Sequence, residues 1–254
     1  MHGNHLHDFI DSLKKPNGVV PRDAFADEMR REKASRLLRS LPDVARQAVC
    51  FTHPLCDIPE VDIHPDLSRL PFPVCWFEFS DEEGVPGAFL CFEQPGVLFR
   101  FALFVKRERQ WIFGGYMSAA PVEEGARISI KGHIGSVQEF RELDAFIGQL
   151  FSYLTALNCT NVRRIEHTPK PSSQSVRRAL GRQPLFSTWT LELDLSRGAA
   201  ASEENGGTHA SPRIHLRRGH ARQYMPGKYC WVQPHVVGNK ALGVVHKDYA
   251  TSSK

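Results

Sequence analysis

Val97-Leu98-Phe99-Arg100-Phe101-Ala102-Leu103-Phe104-Val105 is an apolar run with a single charge, and its neighbours share its character. Val74-Cys75-Trp76-Phe77-Glu78-Phe79 and Gly87-Ala88-Phe89-Leu90-Cys91-Phe92-Glu93 precede it. Trp111-Ile112-Phe113-Gly114-Gly115-Tyr116-Met117 and Ala126-Arg127-Ile128-Ser129-Ile130-Lys131-Gly132 follow it. Each run is short, rich in aromatic and β-branched residues, and bounded by turn residues such as Gly84-Val85-Pro86 and Pro95-Gly96. Connections this short leave no room for crossover helices, so they predict an antiparallel meander of five strands. The aromatic load suits one buried face. Glu78 reads as part of the polar face of its strand, with a catalytic acid as the sharper alternative.

Helices are expected to flank this sheet. From Ser136 to Leu157, the residues Phe140, Leu143, Phe146, Ile147, Leu150, Leu154 and Leu157 form a broad apolar stripe. Ser136 and Glu139 make a capping box, and Asn158 is the stop. This is the helix expected to cover the sheet. Upstream, Asp8 to Leu13 has the length of a helical turn or two. Ala24–Leu41 carries Phe25, Met29, Leu37, Leu38 and Leu41 at near-helical spacing, laid on the sheet or on a partner. Pro42 interrupts that helix, with one more helical piece over 43–49. Residues 50–73, punctuated by five prolines, read as irregular. Downstream, 161–167 and 186–194 are strands, and a short basic helix over 172–182 ends at Gly181. The fold class is therefore α+β: an antiparallel meander sheet covered by an amphipathic helix, with a small β-rich C-terminal unit. The expected organisation is a helical region over 1–49, a core over 50–195, a flexible linker over 196–211 and a basic β-rich unit over 212–254, where Trp231-Val232 and Gly243-Val244-Val245 flank a turn at Gly238-Asn239.

The 254 residues suffice for a core without staples, and 41% hydrophobic with 24% charged residues is an ordinary globular balance. Six scattered cysteines without a C-x-x-C pair predict buried reduced thiols rather than a disulfide framework. No stretch has the ~18–20 apolar residues of a membrane helix, and the start lacks the pattern of a signal peptide. No membrane association and a bacterial cytoplasmic location are expected. Neither His2, His5 and His7 nor the His53–Asp66 loop has the spacing of a metal site, so no metal and no cofactor are expected. P-loop, dinucleotide-binding, nucleophile-elbow and paired-carboxylate signatures are absent.

Net charge is +4 but unevenly spread: residues 160–254 hold 15 Lys/Arg against 6 Asp/Glu, or +9, and residues 1–159 hold 17 against 22, or −5. The densest stretch is Arg213-Ile214-His215-Leu216-Arg217-Arg218-Gly219-His220-Ala221-Arg222, with no acid in it. With Val176-Arg177-Arg178-Ala179-Leu180-Gly181-Arg182, Trp231-Val232 and Gly243-Val244-Val245-His246-Lys247-Asp248-Tyr249, it resembles the C-terminal half of a family of bacteriophage and prophage proteins marked by an Arg-Gly-His-x-Arg motif. Leu70-Pro71-Phe72-Pro73 and Trp76-Phe77-Glu78 are similar to that family's middle portion. The resemblance implies a phage context and supplies no activity.

Three functions fit these residues. Nucleic-acid binding, to RNA or single strands, would use Arg177, Arg178, Arg182, Arg213, Arg217, Arg218, Arg222 and Lys247 on phosphates, with Trp231 stacking on a base. A metal-independent ribonuclease would draw its general acid and base from His215, His220, His235 and His246, beside those cations. A protein-binding module would clasp a host or phage protein, or its own second copy.

Overall fold

The computed structural model describes residues 5–15, 17–21, 28–52, 65–80, 84–108, 110–122, 128–134, 144–193, 213–217, 220–232, 235–237 and 239–244. The expected meander is present as β3 (Val74–Ser80), β4 (Pro86–Phe92), β5 (Phe99–Arg107), β6 (Gln110–Pro121) and β7 (Ile128–Ile134), each antiparallel to the next. Register is fixed by facing apolar residues: Phe77 stands opposite Phe89, and Phe89 opposite Leu103. Gly87 stands opposite Phe79, whose ring lies so close that a Cβ on Gly87 would fall 2.3 Å from it.

Four further strands extend the meander and make the sheet mixed. The short β1 (Val19–Pro21) pairs parallel with β6. On the other side, β2 (Val49–Thr52) pairs parallel with both β3 and β9 (Thr188–Leu193), and β8 (Val162–His167) pairs antiparallel with β9. The order is β1-β6-β5-β4-β3-β2-β9-β8, with β7 also on β6, so β8 is an edge. Residues 49–52 were expected to close a helix and open an irregular segment. They form a central strand instead, because Cys50 and Phe51 fill the two cores on opposite faces.

Both faces of the sheet are buried, not one. Residues 75, 77, 79, 89, 91, 99, 101 and 103 face α3 (Asp144–Leu157). Residues 76, 88, 90, 102, 104, 111 and 113 face α1 (Leu6–Leu13) and α2 (Glu28–Arg46). Double coverage explains why the central strands read as nearly continuous apolar runs. α2 also runs through Pro42, where an interruption was expected. The lost backbone bond costs about 3 kcal/mol. Burial of Leu38, Leu41 and Ala45 on the sheet offsets it, at roughly 1.5–3 kcal/mol per large side chain.

Helix α3 is buried all round over its second half. Leu150, Phe151 and Leu154 meet the sheet, while Ala156 on the outer side meets Tyr229 and Trp231 of a hairpin, β11 (His220–Met225) and β12 (Lys228–Val232). Asn158 ends the helix as expected, its side-chain amide donating to the carbonyls of Leu67, Arg69 and Leu154. The remaining strands, β10 (Arg213–Arg217), β13 (His235–Val237) and β14 (Asn239–Val244), form a separate small sheet. Here the expected hairpin about Gly238-Asn239 is replaced: β13 and β14 flank β10 on opposite sides, so the chain crosses over between them. The C-terminal hairpin turns at Pro226-Gly227, with Gly227 at φ +69°.

Candidate interaction surface

The hairpin is fastened by its aromatic residues. Tyr229 and Trp231 alternate along β12 onto one face, and both sink into a cluster with Leu67, Ala156 and Cys159. Asn161 brackets Trp231 with its side chain, donating to the Trp231 carbonyl at 2.9 Å and accepting from its N–H at 2.7 Å. The Thr160 N–H donates to the Tyr229 carbonyl at 2.8 Å. Trp231, expected to stack on a base, is 5% exposed and serves as the anchor of the hairpin. The exposed large hydrophobic side chains of this hairpin are Tyr224 and Met225 at its tip, with Arg222 also in solvent.

Helix α4 (Pro171–Ala179) links β8 to β9. Proline at its first position needs no N–H partner there. Its end is closed by Gly181 at φ +63°, with the Arg182 N–H donating to the Arg177 carbonyl at 2.9 Å and the Gly181 N–H to the Arg178 carbonyl at 3.0 Å. The polar residues of this helix make the contacts to the body. Gln174 donates to the Leu185 carbonyl at 2.7 Å and accepts from the Leu185 N–H at 2.9 Å. Arg177 donates to the Gln183 carbonyl at 2.7 Å and lies 3.8 Å from the Asp11 carboxylate of α1. The apolar residues face outward: no residue of α4 is buried, and Val176 and Leu180 are each 59% exposed.

These contacts distribute the expected phosphate-binding residues. Arg178 and Arg182 are exposed, whereas Arg177 is turned inward to Gln183 and Asp11. Arg213 and Arg217 lie on β10, and Arg222 on β11 of a different sheet. His215 stands opposite Val237 and His235 opposite Arg217, while His220 pairs in register with Val232 in the hairpin. The backbone thus brings His215 and His235 into one sheet and leaves His220 in another. Arg218, His246 and Lys247 lie outside the described residues, as do the 196–211 linker and the His53–His64 loop. Among the described residues no group of His, Cys, Asp and Glu is arranged to hold a metal.

Glu78, expected on a solvent-facing side of its strand, is 5% exposed beneath α1. Its Oε1 accepts from the His5 N–H at 2.6 Å, the Trp76 indole at 3.0 Å, the Leu6 N–H at 3.1 Å and the Cys50 thiol at 3.6 Å. It satisfies two free amides at the start of α1, which places a carboxylate where the helix dipole favours one. Burial pushes its pKa up to about 7, against the lowering effect of those donors. On the same helix, burial and then the Arg177 guanidinium push His7 down to about 4. Glu78 is sealed from solvent by α1, so this acid is a fastening. The sequence signal for it was a lone acid within an otherwise apolar strand.

The fold gives an α+β scaffold with exposed apolar and basic side chains; the family comparison supplies the class, a phage accessory protein. Residues 51–239 match the family model described as AcrVA2-like, the anti-CRISPR type V subtype A2 family, and the chain belongs to that family. The matched span takes in most of the sheet, α3, α4 and the hairpin. No curated protein and no solved structure gives a significant match. Among the described residues no helix is long and apolar enough to cross a membrane.

Proposed function

We propose that this chain opposes type V CRISPR immunity in the cytoplasm of a phage-infected bacterium by docking on a protein of that immune system. The family membership supplies the pathway. The observation that supports a docking mode is the set of exposed apolar side chains beside cations on a rigid scaffold: Val176 and Leu180 with Arg178 and Arg182, and Tyr224 and Met225 with Arg222. Apolar side chains held in solvent gain free energy by filling apolar pockets on another protein. The test is plating efficiency of a targeted phage on cells with type V immunity, with and without this protein expressed. Plating restored toward that on non-immune cells supports the reading, and unchanged plating refutes it.

A second reading rests on the cations. Arg178, Arg182 and Arg222 are exposed, and Tyr224 offers a ring for base stacking. Binding of short RNA or single-stranded DNA would then weaken steeply between two salt concentrations in fluorescence anisotropy. Salt-insensitive binding or none counts against it.

A further inference from the structure

Helix α4 is built inside out. A surface helix ordinarily buries its apolar stripe and shows polar residues to water. In α4 the polar Gln174 and Arg177 make four contacts: three with the backbone of Leu185 and Gln183 in the segment that follows the helix, and one with Asp11 of α1. Val176 and Leu180, one helical turn apart, stand in solvent.

The neighbouring strand continues the pattern. Across the β8–β9 pair, Arg164 stands opposite Leu191, whose side chain packs into the core beneath α3. Arg163, Ile165 and His167 therefore point to the other face, the one that carries α1. The Arg177 contact with Asp11 sets α4 beside α1 at that face. Ile165 is exposed there, and β8 is the edge of the sheet. Arg178, in the last turn of α4, and Arg182, just beyond its end, are both exposed, so the helix carries free cations beside its aliphatic residues.

We infer that the outer face of α4, centred on Val176 and Leu180, is the docking surface for an acidic protein face that offers apolar sockets. This rests on the protein-docking reading above and names its site and the chemistry of its partner. Charge complementarity selects the partner: Arg178 and Arg182 meet carboxylates around the sockets. A nucleic acid would satisfy the arginines and leave Val176 and Leu180 without matching apolar surface, and Arg177 is already engaged with the body.

The experiment uses the full chain in two double variants, V176S/L180S and R178E/R182E. Since α4 buries none of its residues, both variants are expected to fold, which circular dichroism and thermal melting verify. Each is compared with wild type in the phage-plating assay and in anisotropy with a short RNA. Loss of about tenfold or more of the plating gain in both variants supports the inference, by the size of a docking anchor's loss. Plating gain unchanged in V176S/L180S overturns it while the proposed function stands. Loss in R178E/R182E alone, tracking loss of RNA binding, overturns it in favour of a nucleic-acid surface. Absence of plating gain in wild type refutes the proposed function and the inference together.

Discussion

Replacing Glu78 by glutamine keeps an oxygen to accept from the His5 and Leu6 amides and removes the titration. In the folded chain the Glu78 carboxyl is pushed up from its ordinary 4.5 to about 7 by burial. The folded protein then holds more protons than the unfolded chain between those values. The stability associated with this group is fully present below pH 4.5 and is lost as pH rises through 7. At 1.36 kcal/mol per unit, the loss amounts to about 3 kcal/mol. His7 works in the opposite direction: pushed down to about 4, it contributes stability above pH 6.5 that is lost as pH falls toward 4. Its contribution is the smaller, because the ring is half-buried and screened by solvent. The two groups oppose each other between pH 4.5 and 6.5, so the histidine masks part of the Glu78 dependence in wild type. E78Q should uncover the histidine and gain stability with rising pH. Urea unfolding at pH 4.5, 6, 7 and 8 measures this directly. The stability of wild type minus that of E78Q is expected to fall by about 3 kcal/mol between pH 4.5 and 8. A difference that stays constant with pH would refute the claim that Glu78 titrates in the folded chain.

Other substitutions test the packing. Trp231→Ala removes the anchor between the hairpin and α3 and is expected to cost about 3–5 kcal/mol, with new protease cleavage within 220–232. Asn161→Ala removes both bonds to the Trp231 backbone and is expected to cost roughly 1–3 kcal/mol in urea unfolding, with the same cleavage sites. Gly87→Ala places a Cβ 2.3 Å from the Phe79 ring and is expected to lower stability by about 1–3 kcal/mol through overpacking. An unchanged denaturation midpoint would show that the ring has room to move.

The legible part of the fold was the part set by local pattern. Five apolar runs with turn residues between them gave the meander, and the stripe through Phe146, Ile147, Leu150, Leu154 and Leu157 gave α3. What escaped was set by distant partners. Val49–Thr52 is only four residues long, and its parallel neighbours β3 and β9 lie far along the chain. Nothing local marks it as a central strand. Pro42 was read as a break because the apolar burial that offsets it comes from the sheet. Trp231 was read as a ligand-facing ring, yet Tyr229 and Trp231 alternate with Cys230, a pattern that marks one buried strand face. At the surface, charge and composition single out Arg178, Arg182 and Arg222, and the structure exposes all three side chains. Val176 and Leu180 were passed over, because α4 read as a plain basic helix and only the contacts of Gln174 and Arg177 reveal which side faces water.

The most direct measurement of the docking claim is hydrogen–deuterium exchange of the full chain, alone and with a purified type V effector protein. Amides of 171–182 are expected to exchange more slowly in the mixture. Protection confined to other segments, or no protection anywhere, would contradict docking through the outer face of α4.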